Sequence, residues 1–262
     1  MATRRKLLAC EVMKEEIQYL LRELGAEDRF DIEWFEMGLH QQPENLHVEL
    51  EKRIAACAGQ GYEAIVLMFG LCSNATSGLV PPDDSILVIP RVHDCISIYL
   101  GSARRYLEEH GAVPGTYWFS RGFIHRSDGA DLDCTALGTD FGGTDEDGQR
   151  VSAAEMRRRF TEEYGEDNAE YLMEVLVDSW KANYTRAVYL NWPDSPDAEA
   201  DQALIAGYAA ENNWTFELRN VDFRLLRRLL DGDWDEAEFV VVKPGQTISA
   251  TNGADAMVAA TL

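Results

Sequence analysis

Basic residues are scarce in this chain of 262 residues. It has 24 Lys and Arg against 46 Asp and Glu, for a formal net charge of −22 at pH 7, and most of the acidic excess follows residue 126. Nucleic acids and anionic membrane surfaces are bound through basic faces. The charge therefore argues against both as partners.

Long hydrophobic runs are also lacking. The longest, Ala64–Phe69, is far too short to span a bilayer. The apolar stretch after the basic N-terminal residues ends within a few residues at Glu11, which is too early for a secretory signal. We therefore expect a cytoplasmic protein that does not insert into a membrane.

Cysteine is sparse and irregularly spaced. Five cysteines, with no Cys-x-x-Cys pair, do not form a disulfide framework or a zinc ribbon. A phosphate-binding Walker motif, a dinucleotide fingerprint and Gly-x-Ser-x-Gly are also missing. The sequence therefore lacks the motifs of the common nucleotide-binding proteins and hydrolases.

What the sequence does contain is an alternation of short apolar strands and amphipathic helices. Strands separated by helices of 10–15 residues indicate βαβ units, and hence an α/β fold with a mostly parallel sheet and helices on both faces. The predicted strands are Lys6–Cys10, Phe30–Met37, Ala64–Phe69, Ser85–Ile89, Thr116–Ser120, Ala187–Asn191, Thr215–Arg219 and Glu238–Val242. The predicted helices include Lys14–Leu24, Glu44–Ala58, Cys95–Glu109, Asp197–Glu211 and Phe223–Leu230.

The middle of the chain interrupts this alternation. Residues 127–150 are rich in Asp, Gly and Thr and have almost no periodicity, which is typical of a loop or linker. We therefore predict two Rossmann-like halves, a first over residues 1–126 and a second, acidic one over 151–262.

Residues with metal-binding or proton-transferring side chains follow four of the first-half strands. Cys10 and Glu11 end the first strand, His40 follows the second, Cys72 follows the third, and His93-Asp94-Cys95 follows the fourth. Ligands bind open parallel sheets at the carboxyl ends of the strands. The sequence therefore predicts one site at this edge.

Thiolate and imidazole groups are the donors that hold zinc, and thiolates hold iron–sulfur clusters. We expect a metal centre with Cys10, His40, Cys72 and Cys95 as ligands. His93 would be a ligand or lie just outside the ligand set, and Glu11 and Asp94 would orient ligands or move protons. Two alternatives stay open: a nucleophilic Cys95 at a helix start, where a thiol pKa is lowered, and thiols that only pack in the core.

Two further residues adjoin this predicted site. Arg91 would balance the thiolates or bind a carboxylate, the alternative being a salt bridge. Asn74 lies in Gly70-Leu-Cys-Ser-Asn74, which is similar to the turns whose backbone amides bind anions. We expect both to contact a cofactor.

The ordered motifs of the first half resemble those of a bacterial and archaeal family known only as a domain of unknown function. They are Ala9-Cys-Glu11, Leu39-His-x-x-Pro43, Gly70-Leu-Cys-x-Asn74, Pro90-Arg-x-His-Asp-Cys95, Leu100-Gly-Ser102 and Pro114-Gly-Thr-Tyr117. Ser73 stands where a glycine is common in that family.

Members of this family are often encoded beside corrinoid-dependent methyltransferases. The resemblance implies a role in corrinoid-linked methyl transfer or one-carbon metabolism, with a corrinoid as a further cofactor and a corrinoid protein or methyltransferase as partner. Two other functions are compatible with the same residues: a non-catalytic accessory partner of such an enzyme, and a thiol enzyme.

Overall fold

The computed structural model describes residues 4–39, 42–125, 132, 151, 153–251 and 256–262. Ten strands and nine α-helices are assigned within these ranges. The strands are β1 (Arg5–Cys10), β2 (Phe30–Phe35), β3 (Ala64–Met68), β4 (Ile86–Pro90), β5 (Thr116–Phe119), β6 (Arg186–Asn191), β7 (Thr215–Asn220), β8 (Phe239–Val242), β9 (Gln246–Ala250) and β10 (Met257–Thr261). The helices are α1 (Lys14–Glu23), α2 (Pro43–Ala55), α3 (Cys95–Tyr99), α4 (Ala103–Ala112), α5 (Arg121–Ile124), α6 (Ala153–Tyr164), α7 (Glu166–Leu172), α8 (Ala198–Glu211) and α9 (Arg224–Asp231).

The first sheet has five strands in the order β2-β1-β3-β4-β8. Its first four strands are parallel, and β8 pairs antiparallel with β4. Every residue of β3 is buried, as expected for a central strand covered on both faces. The predicted α/β class with a mostly parallel sheet flanked by helices is confirmed.

A second sheet, β5-β6-β7, is parallel throughout, and β9 pairs with β10 in a separate antiparallel ribbon. The strands group into two compact units, one of Met1–Ala112 with Val221–Leu262 and the other of Val113–Asn220. These bounds differ from the predicted halves, 1–126 and 151–262. The physical reason is that β8 pairs with β4, which returns the end of the chain to the first unit.

One predicted helix is two helices in the structure. The prediction of a continuous helix over Cys95–Glu109 was wrong, because α3 ends at Tyr99 and α4 begins at Ala103. Between them Gly101 takes φ 68°, in the left-handed region that breaks a right-handed helix. The chain therefore turns between Leu100 and Ser102, and α4 takes its own direction.

The second unit has a buried polar cluster of its own. Asp201 on α8 is 2% exposed and accepts hydrogen bonds from Arg121 at 2.9 Å and from Tyr189 at 3.2 Å. The His125 Nε2 atom lies 2.7 Å from the same carboxylate. The cluster links α5 to α8 beside a core of aromatic side chains.

None of the helices that the structure describes combines the length and the apolar character needed to cross a bilayer.

Candidate functional site

Three parallel strands of the first sheet deliver the predicted site residues to one edge. Cys10 is the last residue of β1, Cys72 lies just beyond β3, and Asp94 and Cys95 lie just beyond β4. These strands are neighbours in the sheet, so their carboxyl ends meet at the same edge. His40 lies outside the described residues.

Backbone hydrogen bonds hold the loops after β3 and β4 together. The Leu71 amide donates to the Val92 carbonyl and the Cys72 amide to the His93 carbonyl, both at 2.9 Å. These bonds join the two loops beyond the ends of the strands. They place Cys72 beside the His93-Asp94-Cys95 segment.

Gly70 makes this close approach of the two loops feasible. A Cβ atom at this position would lie 2.6 Å from the Asp94 nitrogen and 2.7 Å from the His93 carbonyl carbon. Both are backbone atoms, which cannot move aside as a flexible side chain can. The glycine in Gly70-Leu-Cys72 is therefore a steric requirement of the site.

The loop after β3 is a left-handed turn. Cys72, Ser73 and Asn74 have φ values of 47°, 56° and 70°, three consecutive non-glycine residues in a region that costs roughly 1–2 kcal/mol each. The Ala75 amide closes the turn by donating to the Cys72 carbonyl at 3.1 Å. Strain of this kind concentrates at functional sites, where the surrounding structure holds it in place.

Replacement of the exposed Ser73 by glycine should stabilise the protein. Glycine adopts φ 56° without the Cβ penalty, and after the added entropy of the unfolded chain we expect a gain of roughly 0.5–1 kcal/mol in the free energy of unfolding. Urea denaturation measures it. Ser77→Gly is the matched control, because Ser77 has no positive φ and should lose stability. A loss in Ser73→Gly as large as in the control would show that the turn is not strained.

Asp94 is fixed by two donors of Ser97. Its Oδ1 accepts from the Ser97 amide at 3.0 Å and from the Ser97 hydroxyl at 3.1 Å, so it caps the start of α3. Asp94 also raises the pKa of the half-buried Tyr106, after the larger effect of burial. Since Cys95 is the first residue of α3, the cap sets the position of Cys95 as well.

Cys72 and Cys95 are partly exposed as residues, but the surroundings of their thiols disfavour the thiolate form. Burial raises the pKa of Cys72 to about 12, and the charge of Asp94 and the neighbouring Cys10 add to the effect. Burial likewise raises the pKa of Cys95 well above its usual range, with further contributions from Asp94, Cys72 and Cys10. The three thiols and Asp94 are therefore close enough for their charges to interact, in an environment that disfavours anions.

A family model described as "Protein of unknown function (DUF1638)" matches residues 34–230. The chain belongs to this family. No curated protein and no solved structure matches the chain. The part that matches the DUF1638 model includes Cys72, Asp94, Cys95 and Tyr106, whereas Cys10 precedes it.

The other predicted residues of this DUF1638 protein lie around the same edge. Glu11 begins a 3-10 helix directly after β1, His93 is half-buried, and Asn74 is exposed in the left-handed turn. The Arg91 guanidinium donates to the carbonyls of Met257 at 2.6 Å, Glu236 at 3.0 Å and Phe239 at 3.4 Å. In this arrangement Arg91 attaches the C-terminal strands to β4.

The side chains as they stand do not surround a single point. Among the residues that the structure describes, no three His, Cys, Asp or Glu side chains form a group that could hold a metal ion. The thiols of Cys72 and Cys95 share a region in which burial raises the thiol pKa, and the thiol of Cys10 lies within electrostatic range of both.

Tyr106 is the site residue that the sequence did not reveal. It is half-buried on α4 and stacks on His110 with a centroid distance of 5.5 Å, and Asp94 adds to the effect of burial in raising its pKa. A tyrosine on an amphipathic helix carries no motif. Only the break at Gly101 would have indicated that α4 can turn back toward Asp94.

Proposed function

We propose that this DUF1638 protein binds a thiophilic metal, a zinc ion or an iron–sulfur cluster, through Cys10, Cys72 and Cys95. The observation that supports the proposal is the position of three thiols at three neighbouring strand ends, close enough for their charges to interact. His40, the fourth predicted ligand, follows β2 in the sequence and stays a prediction.

The donor set fits such a metal chemically. Thiolates prefer zinc, copper(I) and iron–sulfur clusters over hard cations such as magnesium. Because burial makes isolated thiolates costly, Cys72 and Cys95 ionise readily only when a cation replaces their protons. The raised thiol pKa values therefore agree with a site whose thiols are neutral without a metal and become thiolates when a metal binds.

The same pKa shifts argue against a cysteine nucleophile. A reactive cysteine has its pKa lowered by a cationic neighbour or a helix start, whereas burial raises the pKa of Cys95. Asp94 beside it adds negative charge, which acts in the same direction. Of the functions considered, metal binding agrees with the electrostatics and thiol catalysis does not.

A role in corrinoid-linked methyl transfer is the broader part of the proposal, and it rests on the family resemblance. A bound zinc ion would supply Lewis-acid activation of an acceptor thiol. The contribution of the protein would be to hold the ligands at the carboxyl edge of the first sheet and to orient Cys95 through Asp94. Whether the protein acts as an enzyme or as an accessory factor stays a prediction.

Metal analysis of protein purified without oxygen tests the proposal. We expect about one zinc ion or one cluster per chain, and a loss of at least tenfold in metal content on Cys72→Ser, since a ligand is removed. Cys57→Ala is the matched control: Cys57 is buried beside α2, where its thiol donates to the Arg53 carbonyl at 3.2 Å. Wild-type protein with less than about a tenth of a metal per chain, unchanged in Cys72→Ser, would contradict the proposal.

A further inference from the structure

We propose that the second unit carries a proton-transfer site of its own, in which Asp201 positions the imidazole of His125 to act as a general base. The base would take a proton from a water molecule or from the hydroxyl group of a small polar substrate. The observation behind this inference is a buried carboxylate that holds one nitrogen of an exposed imidazole. None of the thiols of the first unit takes part, so the inference stands independently of the proposed metal binding.

The two residues lie at the carboxyl edge of the second sheet. His125 follows β5 and the short helix α5, and Asp201 lies in the first turn of α8, which follows β6. Because β5 and β6 are neighbouring parallel strands, the segments that follow them start from the same edge. Open parallel sheets bind their ligands at this edge. The imidazole is therefore placed where a ligand of such a sheet is expected.

The Asp201 carboxylate is held on both of its oxygens. Its Oδ2 accepts from the Arg121 guanidinium at 2.9 Å and from the Tyr189 hydroxyl at 3.2 Å, and its Oδ1 lies 2.7 Å from His125 Nε2. Arg121 also donates to Asp197 at 3.0 Å, which fixes the guanidinium in turn. Since Asp201 is only 2% exposed, this carboxylate is a rigid support for the imidazole.

The contact with Asp201 determines which nitrogen of His125 carries the proton. An ionised carboxylate only accepts hydrogen bonds, so the 2.7 Å contact requires the proton on Nε2. The Arg121 nitrogen that lies 3.2 Å from Nε2 donates to the closer Asp201 Oδ2. The neutral ring then keeps its lone pair on Nδ1, to which none of the described residues donates. The His125 side chain is 39% exposed, so Nδ1 can meet a substrate while Nε2 stays fixed.

This arrangement has the parts of a general base. Nδ1 accepts the proton of an O–H group while the oxygen forms its new bond, and the Asp201 carboxylate stabilises the positive charge that the imidazole gains. Asn191 and Asn220 end β6 and β7 at the same edge, where a hydrogen bond of 3.0 Å joins their side chains. Their amide groups retain further donors and acceptors for a polar ligand. The substrate class is therefore a small polar molecule whose reaction begins with the loss of a proton from oxygen.

Hydrolysis of para-nitrophenyl acetate by the full chain tests the base. In this reaction the oxygen of water forms a bond to the acetyl carbon, the bond from that carbon to the nitrophenolate oxygen breaks, and Nδ1 takes the proton of the water. We expect His125→Gln to lower the protein-catalysed rate by about 100-fold, the contribution that a positioned general base makes. His110→Gln is the matched control, because His110 is likewise an exposed histidine, near the end of α4 in the first unit, and this variant should keep the wild-type rate.

The positioning role of Asp201 has a readout of its own. Heteronuclear NMR of the imidazole nitrogens should show the proton of neutral His125 on Nε2 in wild type. Asp201→Asn should remove this preference and lower the rate at least about tenfold, since the imidazole is no longer held in one tautomer. The tautomer is measured in wild type as well, so the role stays testable if Asp201→Asn does not fold.

The outcomes also separate this inference from the proposed metal binding. A wild-type rate no greater than that of free imidazole at the same concentration, or one that His125→Gln leaves unchanged, would overturn the inference. So would a wild-type imidazole with its proton on Nδ1, or an equal loss of rate in His125→Gln and His110→Gln. Treatment with a chelator should leave the rate unchanged, and a loss of rate on that treatment would assign the hydrolysis to a metal and overturn the inference as well.

Discussion

Gly70→Ala should destabilise the protein by roughly 3 kcal/mol and abolish the proposed metal binding. The new methyl group would lie 2.6–2.8 Å from three backbone atoms of His93 and Asp94. Overpacking against a rigid neighbour costs about 1–3 kcal/mol, and here the neighbour is backbone on the adjacent loop. Relief requires the two loops to separate, which breaks the Cys72-to-His93 hydrogen bond and moves the thiols apart.

Gly111→Ala provides the matched control for this substitution. Gly111 lies in α4 of the same unit, and nothing lies within 4 Å of the position that its Cβ would take. Alanine in a helix is favoured over glycine by roughly 0.5–1 kcal/mol, so this variant should gain stability. Thermal or urea denaturation of both variants, with metal analysis, measures the difference. A Gly70→Ala protein as stable as wild type would show that the loops are not packed as closely as the structure places them.

The sequence predicts most of the architecture because most of the strands and helices are marked by short local patterns. Ala64–Phe69 and Ser85–Ile89 are short apolar runs between turn residues, and they form β3 and β4 within one residue of the predicted bounds. The edge on which Cys10, Cys72 and Cys95 gather follows from the rule that parallel strands share a carboxyl edge. Neither conclusion needs information about distant parts of the chain.

The features that the sequence does not predict depend on pairing between strands that are far apart in the chain. β8 is as apolar as the other strands, and nothing in Phe239–Val242 shows that it pairs antiparallel with β4. The domain bounds follow from that pairing. The strands β9 and β10 were not predicted. Gln246–Ala250 lacks an apolar pattern, and Met257–Thr261 is a short, alanine-rich run that does not mark a strand by periodicity.

The position of Tyr106 shows how one local error conceals a residue near the site. In a continuous helix over Cys95–Glu109, Tyr106 would lie about 18 Å along the axis from Asp94, at 1.5 Å per residue. The left-handed Gly101 removes that separation by starting a new helix. A glycine followed by serine inside a helical pattern was the one available signal, since glycine often ends a helix.

Metal-free protein should lose stability as the pH rises above 9, and Cys72 should account for a large part of the loss. Its thiol has an ordinary pKa of 9.0, which is raised to about 12 in the folded state. Below pH 9 both the folded and the unfolded thiol are protonated, so this group adds no pH dependence. Above pH 9 the unfolded state releases the proton while the folded state retains it, so the folded state becomes progressively less stable until about pH 12.

The expected size of this effect at pH 11 is roughly 2–3 kcal/mol, because each unit of pKa difference corresponds to about 1.4 kcal/mol. The measurement is urea denaturation of chelator-treated wild type and Cys72→Ser at pH 8 to 11. Serine does not ionise in this range, so the stability of wild type should fall toward and then below that of the variant as the pH rises. Ser77→Ala, which removes no titrating group, should differ from wild type by the same amount at every pH. Parallel curves for wild type and Cys72→Ser would mean that the thiol is accessible to water in the folded state. Loss of the thiol proton would then not require a metal.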